Sequence, residues 1–262
     1  MIRAEYSFAK RAAEVGTRDA FLEFIADEGI LFRPTPVNGK EFLVKQDTRP
    51  GLLSWYPSFA FISKSGDMGC TTGPAEFRKN KDSMAIWFGN FCTVWQLQID
   101  GKWKFLIDTG NNNDRPEEKI DGLKLDQKYE TDNDEYEKRN VSEKSEIILI
   151  DKKFNSTLKQ NGLTESYKNY IDNDTRLLRD GMFPIIGIDK IISYNDNLKA
   201  DLTFAPIEGN ISNAGDFGYV FGSLEIKSRG NESQRKYNYL RMWRKNGDDW
   251  KILIEATNLI PQ

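Results

Sequence analysis

The chain has 262 residues, 39% hydrophobic and 12% aromatic, with a net charge of -3 and a pI near 5.4. That is apolar material for two cores, while no run approaches the roughly 20 residues of a membrane-crossing helix, and the absence of a basic stripe argues against a nucleic-acid partner. Histidine is absent, which excludes a Ser-His-Asp triad, a Cys-His pair and histidine-based metal sites, and leaves acid–base work to Asp, Glu, Lys, Tyr or water.

Residues 5–27 carry Phe8, Ala12, Phe21, Phe24 and Ile25 at helical spacing. This predicts a helix broken near Gly16-Thr17, with Thr17 as the cap of its second segment. Ile30-Leu31-Phe32 reads as a short strand ended by Arg33-Pro34-Thr35-Pro36, where two prolines prevent regular pairing. Asn38-Gly39-Lys40-Glu41 opens a short helix. Four strand-like segments follow at 52–64, 67–79, 85–99 and 102–110, with turns at Lys64–Asp67, Asn80–Asp82 and Asp100-Gly101. From Asn111 to about Ser142 the composition is Asn-rich and charged, an exposed linker with room for a short helical patch. The same order then returns: helix over 143–172, strand at 175–179, short helix at 187–195, and strands at 199–212, 215–228, 234–245 and 249–259.

The order repeats because the sequence does. Phe8 matches Phe154, Gly16 Gly162, Phe21 Tyr167, Arg33 Arg179, Gly39 Gly187 and Pro57 Pro206. Further on, Asp67 matches Asp216, Gly69 Gly218, Gly73 Gly222, Glu76 Glu225, Asn90 Asn238, Trp95 Trp243 and Trp103 Trp250. Glycines and aromatics dominate the shared positions, the types that backbone geometry and packing specify most tightly. The chain therefore reads as two tandem α+β domains, residues 1–112 and 143–262, joined by a charged linker at 113–142. In each, helices and a short strand precede a meander of long antiparallel strands. Long two-sided strands such as Asn90–Trp95 predict sheet-against-sheet packing as an intramolecular pseudo-dimer, hence a monomer.

The opening helices, Gly-Ile-Leu-Phe-Arg-Pro followed by Asn-Gly-Lys-Glu, Ser-Gly-Asp-Met-Gly, and Val-Trp-Gln-Leu-Gln-Ile-Asp-Gly-Lys-Trp-Lys together resemble the nuclear transport factor 2-like superfamily, in particular its SnoaL-like and DUF4440-type bacterial members. The resemblance covers both repeats and omits the linker. It implies two cone-shaped domains, each a bent sheet and helices around a pocket that relatives use for isomerase, dehydratase, cyclase or hydrolase chemistry, or for binding alone.

Candidate site residues follow from recurrence and position. Arg33 and Arg179 stand at the end of the first strand, where the resemblance places a pocket mouth and, in ketosteroid-isomerase-like members, an acidic base. An arginine there suits a carboxylate or phosphate ligand, or pairs with Glu76 and Glu225 respectively. Those two carboxylates are either solvated and paired or drawn into the interior as bases. Trp55, Phe59, Phe91 and Trp95 in the first repeat, with Phe204, Tyr219, Tyr239 and Trp243 in the second, supply aromatic surface for a cavity or a filled core. Trp103 and Trp250 alternate with Phe105 and Ile107, or Ile252 and Ile254, as core residues, and the Gly-Asp steps at 66–67 and 215–216 are turns. Thr93 becomes Arg241 and Leu52 becomes Asp201, so the second interior is the more polar and the expected seat of specific recognition.

The chain has no glycine-rich phosphate loop and no Cys-x-x-Cys. Asp132-Asn133-Asp134 lacks the glycine and distal glutamate of a calcium loop, so neither metal nor cofactor is assigned. Cys70 and Cys92 fall opposite each other if their hairpin centres near residue 81, which offers a cross-strand disulfide; the alternative is two buried thiols. The first 16 residues lack the apolar core of a secretory signal, leaving a cytoplasmic chain or a secreted or periplasmic one whose signal has been removed. The leading functional expectation is a binding protein for a small apolar or amphipathic molecule, anionic in one version. A histidine-free isomerase, dehydratase or hydrolase comes next, and a structural or protein-interaction module third.

Overall fold

The computed structural model describes residues 1–117, 122–125, 145–230 and 233–261. Two compact units divide the chain, Met1–Asp134 and Glu135–Gln262. Most of the expected linker at 113–142, with its helical patch and Asp132-Asn133-Asp134, lies outside the described residues.

In the first unit α1 (Ile2–Val15) and α2 (Thr17–Phe24) lead into β1 (Ile25–Phe32) and β2 (Pro36–Asn38). Then come α3 (Gly39–Val44), β3 (Leu52–Trp55), β4 (Phe59–Ile62), β5 (Met68–Arg78), β6 (Ala85–Leu97), β7 (Trp103–Asn113) and β8 (Lys124–Leu125). The break between the first two helices falls at Gly16, whose φ of 91° lies in the left-handed region that side chains other than hydrogen avoid. Gly162, at φ 79°, does the same in the second unit. Thr17 is the first helical residue rather than a cap and makes no side-chain cap bond. Asn38 does cap α3, accepting from the Glu41 backbone N–H at 2.9 Å.

The second unit runs α4 (Glu146–Asn161), α5 (Leu163–Tyr170), β9 (Arg176–Leu178), β10 (Ile185–Ile186) and α6 (Ile188–Asn197), then β11 (Ala200–Ile211), β12 (Phe217–Ser228), β13 (Gln234–Asn246) and β14 (Asp249–Leu259). The first sheet is ordered β2-β1-β7-β6-β5-β4-β8 with β3 also on β5, and the second β10-β9-β14-β13-β12-β11. Both are mixed sheets, which corrects the expectation of purely antiparallel ones. β1 joins β7 in parallel, as β9 joins β14, because strands separated by most of a unit need no hairpin between them. The short β8 also lies parallel to β4, within what reads from sequence as linker.

One face of each sheet packs on the helices. Phe8 of α1 meets Phe21, Trp55 and Phe105 at ring separations of 4.8, 4.9 and 5.4 Å. Phe154 of α4 meets Tyr167, Tyr170 and Trp243 at 5.0, 5.1 and 5.9 Å. Two bends recur. At Pro57 the outer strand splits into β3 and β4, and at Pro206 the β11–β12 register shifts. Opposite them sit Gly73 and Gly222, where any Cβ would collide with the backbone carbonyl of Tyr56 or of Ala205.

Candidate functional site

Strand pairing decides which side chains share an interior. Opposed residues point to the same face and the face alternates with period two. Thr71 lies opposite Thr93, Gly73 opposite Phe91 and Trp55 opposite Ala75, so these line the helix-covered face of the first sheet. Val220 opposite Arg241, Gly222 opposite Tyr239 and Phe204 opposite Leu224 line that of the second. Glu76, opposite Phe88 and one step out of phase with Ala75, takes the other face and pairs with Arg78 at 2.7 Å. Glu225 likewise turns outward to Lys236 at 3.6 Å, and Asp201 is exposed, bonded to Arg229 at 2.6 Å. Tyr219 is buried on that same outer face, opposite Met242. Glu76, Glu225, Asp201 and Tyr219 therefore leave the candidate interior, and neither glutamate is the partner of its arginine.

A bulge brings in two carboxylates that the simple alternation hides. On β7, Phe105 faces Trp95, but Leu106 is the extra residue of a bulge, so Val94 opposes Ile107 and Thr93 opposes Asp108. The second unit repeats this with Leu253: Trp243 opposes Ile252, Met242 opposes Ile254 and Arg241 opposes Glu255. The phase flips in mid-strand. Ile107 and Ile254 turn outward, against the expected alternation with Trp103 and Trp250, while Asp108 and Glu255 turn inward. From the helices come Glu5, three residues before Phe8, and Asp151, three before Phe154; both side chains are fully buried. Each interior thus holds a homologous acid pair, Glu5 with Asp108 and Asp151 with Glu255.

The two pairs are satisfied differently. Arg241 spans the second, donating from Nη1 to Asp151 at 2.7 Å and from Nε to Glu255 at 2.6 Å. Arg179 also pairs with Glu255, Tyr167 donates to it at 2.7 Å, and Tyr239 and Trp243 donate to Asp151 at 2.8 and 3.2 Å. Four aromatic rings surround the Arg241 guanidinium, Phe204 at 4.3 Å and Phe154 at 4.5 Å closest. Burial alone would push the Glu255 carboxyl up, yet Arg241 and Arg179 outweigh it and hold it near 2. Of the expected polar cluster, Arg179, Tyr239 and Arg241 join a buried ion-pair network, in which Arg241 Nη2 alone of that residue's guanidinium nitrogens has no hydrogen-bond partner.

In the first unit, among the described residues, no cation forms a salt bridge with either acid. Glu5 is held by neutral donors: Trp55 at 2.6 Å, Thr71 at 2.5 Å and Trp95 at 2.9 Å. Burial raises its pKa and these bonds oppose the rise. Asp108 accepts from Thr93 at 2.7 Å, its one hydrogen-bond donor among the described residues. Burial lifts its carboxyl to about 7; the Thr93 bond opposes this, Glu5 adds to it and Arg33 opposes it. Arg33, counterpart of the buried Arg179, makes no salt bridge to Asp108: it is exposed, donates to the Phe32 carbonyl at 2.7 Å and acts on Asp108 through charge alone. Asp108 is half-buried rather than sealed; on the same sheet face lie Phe91, two residues from Thr93, and Trp55, which are 7% and 9% exposed with ring centroids 6.4 Å apart. Arg179 is committed to Glu255, and Arg33 donates to the Phe32 carbonyl.

Cys70 and Cys92 are buried and form no disulfide. Thr72, not Cys70, lies opposite Cys92, because the hairpin centres one residue later than assumed and the offset separates the thiols. Among the described residues no helix is long and apolar enough to cross a membrane, and no group of three or more Cys, Asp or Glu side chains is placed to hold a metal ion.

No protein-family model matches the chain and no curated protein matches it. The likeness to nuclear transport factor 2-like proteins read from sequence extends to solved structures. An NTF2-like protein from Cytophaga hutchinsonii is 22% identical, with 47% of this chain and 100% of that chain covered at a TM-score of 0.37. A ketosteroid isomerase-like protein from Erwinia carotovora atroseptica is 16% identical, with 44% and 95% covered at 0.38. An NTF-2 like protein of unknown function from Shewanella oneidensis is 17% identical, with 42% and 94% covered at 0.36.

Proposed function

We propose that the chain is a small-molecule-binding protein whose working site lies in the first unit, around Asp108, Thr93, Phe91 and Trp55. The second unit is a structural twin whose corresponding place is filled by its own Arg241. One observation carries this reading: Glu255 has hydrogen-bond donors from Arg241, Arg179 and Tyr167, whereas Asp108, at the matching register position, has Thr93 alone and stays half-buried. A carboxyl with spare acceptor capacity beside aromatic walls is what a small amphipathic ligand with one polar group requires. Thermal-shift screening of the full chain against small amphipathic molecules should give ligands that stabilise the wild type and fail on Asp108→Asn. Ligands that stabilise both equally place the site elsewhere.

A second reading is supported by the carboxyl's pKa near 7. A group poised there is suited to moving a proton at neutral pH, so the same site fits an isomerase or dehydratase with Asp108 as acid or base. Turnover that follows a single ionisation near pH 7 and vanishes in Asp108→Asn would favour catalysis over binding alone.

A further inference from the structure

The second unit displays, in covalent form, what its acid pair was built to hold. Arg241 extends from β13 between Asp151 and Glu255, over the faces of Phe204 and Tyr239 at 4.3 and 5.1 Å. In the first unit each of those four partners has a counterpart: Glu5, Asp108, Trp55 and Phe91. Their identity is fixed by register, since Thr93 opposes Asp108 as Arg241 opposes Glu255, and Trp55 opposes Ala75 as Phe204 opposes Leu224. Only the cation is missing, because Thr93 is too short to supply it. We propose that the first unit binds an external organic cation, an amidinium, guanidinium or primary ammonium group on a flat apolar body, with the charged head on Asp108 and the body against Phe91 and Trp55. This deepens, and rests on, the reading of that place as a small-molecule site.

Three features support a cation over a neutral or anionic ligand. Asp108 lacks the twin's Arg241 by substitution and forms no salt bridge with Arg33, which acts on it through charge alone. The faces of aromatic rings attract cations, and their counterparts already do so in the second unit. Glu5, which acts on Asp108 from α1, has only neutral hydrogen-bond donors among the described residues. An arriving cation would relieve the repulsion between the two carboxyls, as Arg241 does between Asp151 and Glu255.

The test uses three probes of one shape and different charge, benzamidine, benzamide and benzoate, titrated by calorimetry into the full chain. Benzamidine should bind at least tenfold more tightly than benzamide, and benzoate should not bind. Its affinity should rise from pH 6 to 8 as Asp108 loses its proton, with Glu5 and Arg33 the other charges acting on that group. Asp108→Asn should remove the preference for benzamidine, and Thr93→Arg, which installs the twin's own cation, should abolish its binding. Should Thr93→Arg fail to fold, Asp108→Asn decides. Equal binding of all three probes, each weakened by Asp108→Asn, overturns the cation assignment and leaves the small-molecule site standing. Failure of every probe, together with a ligand screen indifferent to Asp108→Asn, removes both.

Discussion

Thr93 and Arg241 occupy one register position in two homologous strands, and that single difference sets the charge balance of each interior. Removing the arginine leaves Asp151 buried without its counter-ion and Glu255 with Arg179 alone, which is far more costly than the pair's own net worth. Arg241→Met should therefore destabilise the chain by roughly 3–5 kcal/mol in urea denaturation. Thr93→Met, which removes one hydrogen bond, should cost only about 1 kcal/mol, and equal costs would show that the network is not what holds the second interior. The acids also leave opposite marks on the pH profile. Asp108 keeps its proton to about pH 7 when folded but releases it near pH 4 when unfolded. The folded state binds the extra proton between those limits, so this group's contribution is full below about pH 4 and is lost as pH rises through 7. Glu255, held near 2, contributes above its unfolded value and loses that contribution as pH falls through about 2. In Asp108→Asn the decline in denaturation midpoint between pH 4 and 8 should flatten, and a slope equal to that of the wild type would refute the assignment.

At the scale of elements, bends and bulges matter more than lengths. Gly222 lies where a Cβ would meet both the Ala205 carbonyl and the Tyr239 ring, so Gly222→Ala should cost about 1–3 kcal/mol through overpacking. A loss under about 0.5 kcal/mol, within the range of ordinary surface substitutions, would mean that the kink relaxes freely. These devices also explain what could be read in advance. The glycine breaks, the capped short helix and the order of strands are local, and Gly16, Asn38 and the alternating apolar residues announce them in the sequence. Arg33 and Arg179 are at the strand end where they were expected, but their surroundings depend on contacts far along the chain. Asp108 and Glu255 were missed because Leu106 and Leu253 each insert one residue and reverse the alternation that Trp103 and Trp250 begin. Glu76 and Glu225 were overvalued for the converse reason: they recur, but on the outward phase of an unbulged stretch. Glu5 and Asp151 left a legible trace. A carboxylate three residues before a buried phenylalanine, in both repeats, sits on the buried face of an amphipathic helix, and such a residue must be matched inside.

For the molecule as a whole, duplication followed by unequal repair of the interior gives two units with one plan and different polar contents. The second neutralises its acids internally; the first leaves one with spare capacity. Both thiols of the chain belong to the first unit, on β5 and β6, on the sheet face opposite the one that carries Thr71 and Thr93, and both are buried. A maleimide reagent can reach them only when those two strands part. Its uptake is therefore a clock for the opening of one half of an intact polypeptide, and a second half without cysteine contributes no signal to it. Any ligand that binds at Asp108 should slow it.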